Sequence, residues 1–153
     1  MLIAEGSRHT QKSSFRHGLV YGVPVIVYAG LIFFLSSIAR LPEEISFINR
    51  LDKWAHFIEY YLFGFLTRRW LVNTGSRFLS NRSLYFTILI GICYGLSDEW
   101  HQSYIPGRDS TAEDVLSDAL GVIAAAVTYR TIVTRIFFVK KLDEILERKF
   151  IHE

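Results

Sequence analysis

Four stretches of this chain have the length and apolar character to cross a membrane, and three of them carry ionisable side chains close to one end. Residues 18–39 contain no charged side chain. Residues 83–97 are likewise uncharged and are followed at once by Asp98 and Glu99. Charged groups inside membrane helices are expensive; they face a bundle interior, pair with one another, or mark a functional site. Where these groups fall therefore constrains the fold more tightly than the apolar runs alone.

Half of the 153 residues are hydrophobic and 21% are charged, with the charges in blocks between apolar runs. That is the pattern of a small polytopic membrane protein, and the length fits one domain. A net charge of +2, with no basic patch interleaved with stacking aromatics, argues against a nucleic-acid partner. The single cysteine, Cys93, cannot form an internal disulfide or a zinc cluster and reads as a small packing residue.

Residues 1–17 form a polar N-terminus carrying Arg8, Lys12 and Arg16 against Glu5. The first span is expected over 18–39. Ser37-Ile38-Ala39 would also suit a signal-peptide cleavage site, but the length of the run and the segments after it favour an uncleaved span, kinked at Pro24. A short loop over 40–52 leads to a second span over 53–72. It is rich in aromatics, holds His56 and Glu59, and ends at Arg68 and Arg69. The next loop adds Arg77 and Arg82 and no acid. The third span, 83–102, carries Gly91 and Gly95 at the spacing that lets membrane helices approach closely. Ile105-Pro106-Gly107 breaks it, and the fourth span runs from about 112 to 134, with Thr111 and Asp114 placed to cap its start. Residues 135–153 gather Phe138, Leu142, Ile145, Leu146 and Phe150 on one helical side. Such a helix lies on a membrane surface or docks on a partner.

The expected fold is all-α: a small polytopic membrane bundle of four transmembrane helices with an amphipathic C-terminal helix. Its parts are a cytoplasmic N-terminus (1–17), the transmembrane domain (18–134) and a cytoplasmic tail (135–153). The distribution of Lys and Arg puts both termini and the second loop in the cytoplasm of a multi-pass protein.

At 1.5 Å rise per residue, this topology brings polar groups from three helices to one depth near the outer surface. The second span contributes Lys53, His56 and Glu59; the third, Asp98, Glu99 and Gln102; the fourth, Asp114 and Asp118, with Arg108 on the loop above. Gly91, Gly95, Asp98 and Gln102 share one helical face, as do Asp114, Asp118, Gly121 and Ala125, so small residues lie below each polar cluster. Lys53 and Arg108 suit a phosphate or carboxylate. His56, Glu59, Asp98 and Glu99 suit proton transfer, and Gln102, Arg108, Asp114 and Asp118 ligand binding. Each has a plainer reading. His56 can bond a carbonyl, Glu59 can pair with Lys53 or Arg108, Gln102 can join helices, and Asp114 can favour a helix N-terminus. Asp109 and Glu113 read as solvated turn residues. Together, however, so many buried polar groups stabilise a bundle less than apolar packing would, which favours a functional site.

His with carboxylates suits Mn, Fe or Zn, but no HExxH or paired ExxH spacing is present. No metal and no cofactor is assigned from sequence. A phosphate-cradling Gly loop, a GxSxG elbow and a dinucleotide fingerprint are also absent. A proton or cation carrier would need ionisable groups continuing toward the inner side, where these spans offer little beyond terminal arginines.

Three blocks, Asp52-Lys53-x-x-His56-x-x-Glu59-Tyr60, Asp98-Glu99-x-x-Gln102-x-x-x-Pro106-Gly107-Arg108 and Asp114-x-x-x-Asp118-x-x-Gly121, resemble the VanZ-like family of bacterial integral membrane proteins. The resemblance covers about residues 20 to 135, leaving the polar N-terminus and the tail outside, and its most specific block is the second. Asn is common in the family where Asp118 stands. The resemblance implies a cell-envelope membrane protein associated with lowered susceptibility to teicoplanin-type lipoglycopeptides. Lys53 and Arg108 beside acids at headgroup level point to membrane lipids, a lipid-linked cell-wall precursor or the drug itself as partners. A membrane-embedded hydrolase or transferase acting on a lipid headgroup is the alternative, with Glu59 or Asp98 as base and His56 as acid.

Overall fold

The computed structural model describes residues 2–38, 46–108 and 110–150. Residue 1, residues 39–45 of the first loop, Asp109 and residues 151–153 lie outside the described residues, as do the side chains of residues 2–15, 17, 46–52, 137–139 and 150, Asp52, Phe138 and Phe150 among them. Among the described residues all regular structure is helical: α1 (Leu2–Ser36), α2 (Ser46–Asn73), α3 (Arg77–Asn81), α4 (Ser83–Gln102), α5 (Ala112–Arg135) and α6 (Phe137–Phe150).

Helix α4 has the expected bounds, and α5 starts at the residue expected. Thr111 caps α5: its hydroxyl accepts from the Asp114 amide at 3.2 Å and donates to the Asp114 carboxylate at 2.7 Å. Other elements differ from expectation. Helix α1 continues back through the polar N-terminal segment to Leu2, with Pro24 inside it. Helix α2 begins at Ser46, so residues 46–52 are helical rather than loop. The arginine-bearing second loop contains the one-turn-and-a-half helix α3, capped by Ser76.

Helix α2 is central. It packs against α1, α4 and α5, while α4 packs on α5 and α6 touches α5 and α1. Helices α1 and α4 end where α2 and α5 begin, which gathers the loops leading into α2 and α5 at one end of the bundle. Close backbone approach depends on small residues. A Cβ on Gly121 would run into the Phe57 carbonyl oxygen and lie 2.9 Å from the Tyr61 nitrogen. A Cβ on Gly64 would stand 3.1 Å from the Val122 Cα, and one on Gly91 would overlap the Val122 side chain. These contacts lock α2, α4 and α5 together, as the small-residue stripes on α4 and α5 anticipate.

Polar side chains share the interior with an apolar core that includes Ile32, Tyr60, Phe63 and Val122. The buried faces of α4 and α5 carry Ser83, Thr87, Asp98, Glu99, Gln102, Asp114 and Asp118 beside glycines and alanines. Ile26, Phe34, Trp54, Tyr85, Trp100 and Leu116, drawn from four helices, are each more than half exposed. Exposed apolar surface of this extent marks a face that meets something other than water. Two described helical segments, Gly18–Ser36 and Ala112–Arg135, are long and apolar enough to cross a membrane.

The opposite end of the bundle has its own polar knot. Arg68 and Arg69 are buried there rather than lying free at a helix terminus. Arg69 pairs with Asp143 of α6 and lies 5.0 Å from the Tyr21 ring centroid, and Arg68 lies 5.6 Å from that of Tyr129. The amphipathic tail helix is thereby anchored to α1 and α2.

The Gly121 contact yields a clear expectation. Gly121→Ala forces α2 and α5 apart and should lower stability by about 1–3 kcal/mol, the usual scale of overpacking. Gly30→Ala, whose Cβ would meet nothing within 4 Å, should leave stability unchanged or slightly higher. Thermal unfolding of the purified variants in detergent distinguishes the two.

Candidate functional site

The polar site forms where α2, α4 and α5 meet, within about two turns of the end of α4 and the start of α5 and about two to four turns into α2. His56 of α2 is 3.0 Å from Asp118 of α5 (Nδ1 to Oδ1) and 3.9 Å from Glu99 of α4 (Nδ1 to Oε1). All three side chains are buried, Asp118 almost completely. The closeness follows from the packing below. Phe57 follows His56 and Gly121 lies one turn beyond Asp118, so the glycine that admits the α2 backbone also brings the imidazole to the carboxylate.

Beside this trio is Asp98, one residue before Glu99 on α4. Its Oδ2 accepts from the Tyr60 hydroxyl at 3.3 Å and from the Gln102 amide at 3.1 Å, a span of one helical turn in the second case. Its Oδ1 is buried with no hydrogen-bond partner. Gly95 makes room for the arrangement, since a Cβ there would lie 3.1 Å from Asp118 Oδ2 and 3.4 Å from the Tyr60 ring. Glu59 is half-buried and within electrostatic range of His56, Asp98, Asp118 and Arg108.

At the mouth, Lys53 pairs with Glu113 and stands 3.8 Å from Asp114. Glu113 is exposed, yet it holds this lysine rather than being only a solvated turn residue. Such an exposed pair adds little stability, but it keeps a cation beside Asp114. Arg108 reaches across the loop to α1. Its Nε donates to the Ile38 carbonyl at 3.2 Å and its Nη2 to the Leu35 carbonyl at 2.6 Å, so it caps the open end of that helix. Gly107, just before it, has φ of 76°, a left-handed turn that glycine adopts without strain.

All nine residues singled out by sequence thus fall at one end of the bundle. Lys53, His56, Glu59, Asp98, Glu99, Gln102, Asp114 and Asp118 surround one polar core, while Arg108 is turned to the α1 carbonyls. Sequence reasoning missed the contribution of α1. His101 stacks on Phe33 with ring centroids 4.5 Å apart and meets the Ser37 hydroxyl at 3.0 Å. The Tyr94 hydroxyl donates to the Ala29 carbonyl at 2.6 Å. A cavity of about 320 Å³ opens here, lined by Phe33, Tyr94, Ser97, Asp98, Trp100 and His101. No charged residue on α1 over 18–36 signalled this role.

An all-helical bundle with buried polar groups at one end and two apolar, membrane-length helices points to a membrane protein. A family model described as VanZ/LLP1 matches residues 4–136. The chain belongs to the VanZ/LLP1 family. The match begins within the polar N-terminal segment, which sequence reading had left outside the resemblance, and leaves out nearly all of the tail. No curated protein and no solved structure matches the chain significantly.

The Asp118 position offers a direct check on the geometry. Asp118→Asn retains an oxygen that accepts from His56 and should unfold within about 1 kcal/mol of the natural protein, whereas Asp118→Ala strips a buried hydrogen bond and should cost about 1–3 kcal/mol. Thermal unfolding in detergent reads the difference.

Proposed function

We propose that the chain is a four-span protein of the bacterial cytoplasmic membrane whose outward-facing polar pocket recognises or modifies a lipid-linked envelope component. On this reading α1, α2, α4 and α5 cross the membrane, residues 1–17 and 135–153 are cytoplasmic, and 18–134 form the transmembrane domain. The apolar residues exposed on all four helices support the spans. The excess of arginine in the second loop supports the orientation.

The observation that carries the functional reading is the groove between α1 and α4. Its aromatic walls suit an apolar chain or sugar face, and it leads to Asp98, beside the His56–Glu99–Asp118 cluster. A pocket with apolar walls and a few convergent polar groups is the usual form of a small-ligand site. A lipid bearing a phosphate headgroup fits both parts, with Lys53 attracting the anion. Binding or altering such a lipid would account for lowered susceptibility to teicoplanin-type lipoglycopeptides, the role implied by the family resemblance.

Turnover is a second reading, favoured by the buried, unpartnered Oδ1 of Asp98. That atom is placed to accept a proton, and His56 to return one. A carrier is disfavoured, because between Glu59 and Arg68 on α2, and across the middle of α1, α4 and α5, the sequence has no carboxylate, histidine, lysine or arginine.

Asp98→Asn and Lys53→Ala, produced at the level of the natural protein, should return drug susceptibility and the membrane lipid profile to those of cells lacking the gene. If both variants behave as the natural protein does, the reading fails. Turnover is tested separately by mass spectrometry of lipid extract incubated with purified protein: a lipid species should change in mass, and His56→Ala should abolish the change.

A further inference from the structure

We infer that His56, Glu99 and Asp118 bind a divalent transition-metal ion. One donor atom from each residue lies within 4.8 Å of both others, and all three residues are buried. The three come from three different helices, so no HExxH-type spacing could announce them in the sequence.

The clustering of acids is not the decisive observation. Glu99 is, because its side chain is 95% buried and neither carboxylate oxygen has a hydrogen-bond partner. The Ser110 side chain approaches it from the loop without completing a hydrogen bond. A buried carboxylate normally has its oxygens satisfied, and leaving one without any partner is strongly unfavourable. Glu99 Oε1 faces His56 Nδ1, which already stands 3.0 Å from Asp118 Oδ1. A cation between the three supplies what the carboxylate lacks.

The distances suit this. Two donors about 2.1 Å from a common ion stand roughly 3.0–3.4 Å apart in octahedral or tetrahedral geometry. The His56–Asp118 separation of 3.0 Å already meets that range. The His56–Glu99 separation of 3.9 Å needs a closing movement of less than about 1 Å. Charge closes among the ligands as well: a neutral imidazole and two carboxylates balance a dication, so the ion and its three ligands together carry no net charge. One imidazole with two carboxylates suits Zn²⁺ or Mn²⁺ better than the all-oxygen shells of Mg²⁺ or Ca²⁺. Water or an anionic ligand would complete the coordination. The inference concerns the metal alone and does not depend on the lipid reading.

The test is titration of Mn²⁺ into the full-length protein, stripped with chelator and held in detergent, followed by electron paramagnetic resonance. The expected result is one ion bound per chain, displaced by Zn²⁺, with pulsed spectra showing coupling to an imidazole nitrogen. Glu99→Gln and Asp118→Asn should each weaken binding by at least about tenfold, on the scale of ligand and near-ligand losses. His56→Gln should remove the nitrogen signal, and Asp143→Asn, at the far end of the bundle, should bind as the natural protein does. Thermal unfolding confirms that each variant is folded; if Glu99→Gln is not, the nitrogen signal and its loss in His56→Gln decide the matter. Absence of binding, binding undiminished by these changes, or a bound ion without nitrogen coupling overturns the inference.

Discussion

The contact between Gly121 and the α2 backbone at Phe57 fixes much else in this molecule. Two helices can approach so closely only where one lacks a side chain, and the residues next to the contact on α2 and one turn from it on α5 are then brought together. His56 and Asp118 meet at 3.0 Å because their neighbours touch. Gly91 and Gly95 perform the same service for α4, setting it against Val122, Asp118 and Tyr60. The site is thus a consequence of backbone packing in the bundle interior, which brings together a polar constellation from three helices.

The price of that arrangement is an interior that holds carboxylates while the exterior is apolar. In water such a chain would expose extensive apolar surface and bury charge, two unfavourable choices at once. In a bilayer the exterior is compatible with its surroundings, and the buried polar groups are satisfied mainly by one another. The two ends resolve this differently. At the α6 end, Arg69 and Asp143 neutralise each other and aromatic rings cover the guanidinium groups. At the other end, carboxylates outnumber the cations among them; both ends keep buried polar atoms without a hydrogen-bond partner, but at this end they are all carboxylate oxygens, of Asp98, Glu99 and Asp118. The first end anchors the tail helix, and the second is the end to which the proposed ligand is assigned.

Much of this was legible in the sequence, for identifiable reasons. Helix α4 is bracketed by an arginine-rich loop and a Pro-Gly turn, and α5 by a Thr cap, so both starts were readable. The small-residue stripes beneath Asp98 and Asp118 foretold which faces would be buried. The early start of α2 was not readable, because residues 46–52 mix apolar and charged side chains in a way that suits a loop as well as a helix. The partnership of α1 was hidden for a different reason: it acts through backbone carbonyls, Ser37 and an aromatic ring, none of which stands out in an apolar run. Likewise Arg69–Asp143 and Lys53–Glu113 join residues far apart in the chain, where spacing carries no information. The family match to residues 4–136 agrees with the motif-based resemblance while extending it toward the N-terminus.

The claim on which the rest stands is that α2 and α5 hold His56 and Asp118 in direct contact. A double-mutant cycle on unfolding free energy in detergent, using His56→Ala, Asp118→Ala and the double variant, measures that contact itself. Residues that touch show coupling of about 0.5–3 kcal/mol, and this pair should fall within that range. Additive effects, with no coupling beyond the error of measurement, would contradict the packing described and with it the assembled site.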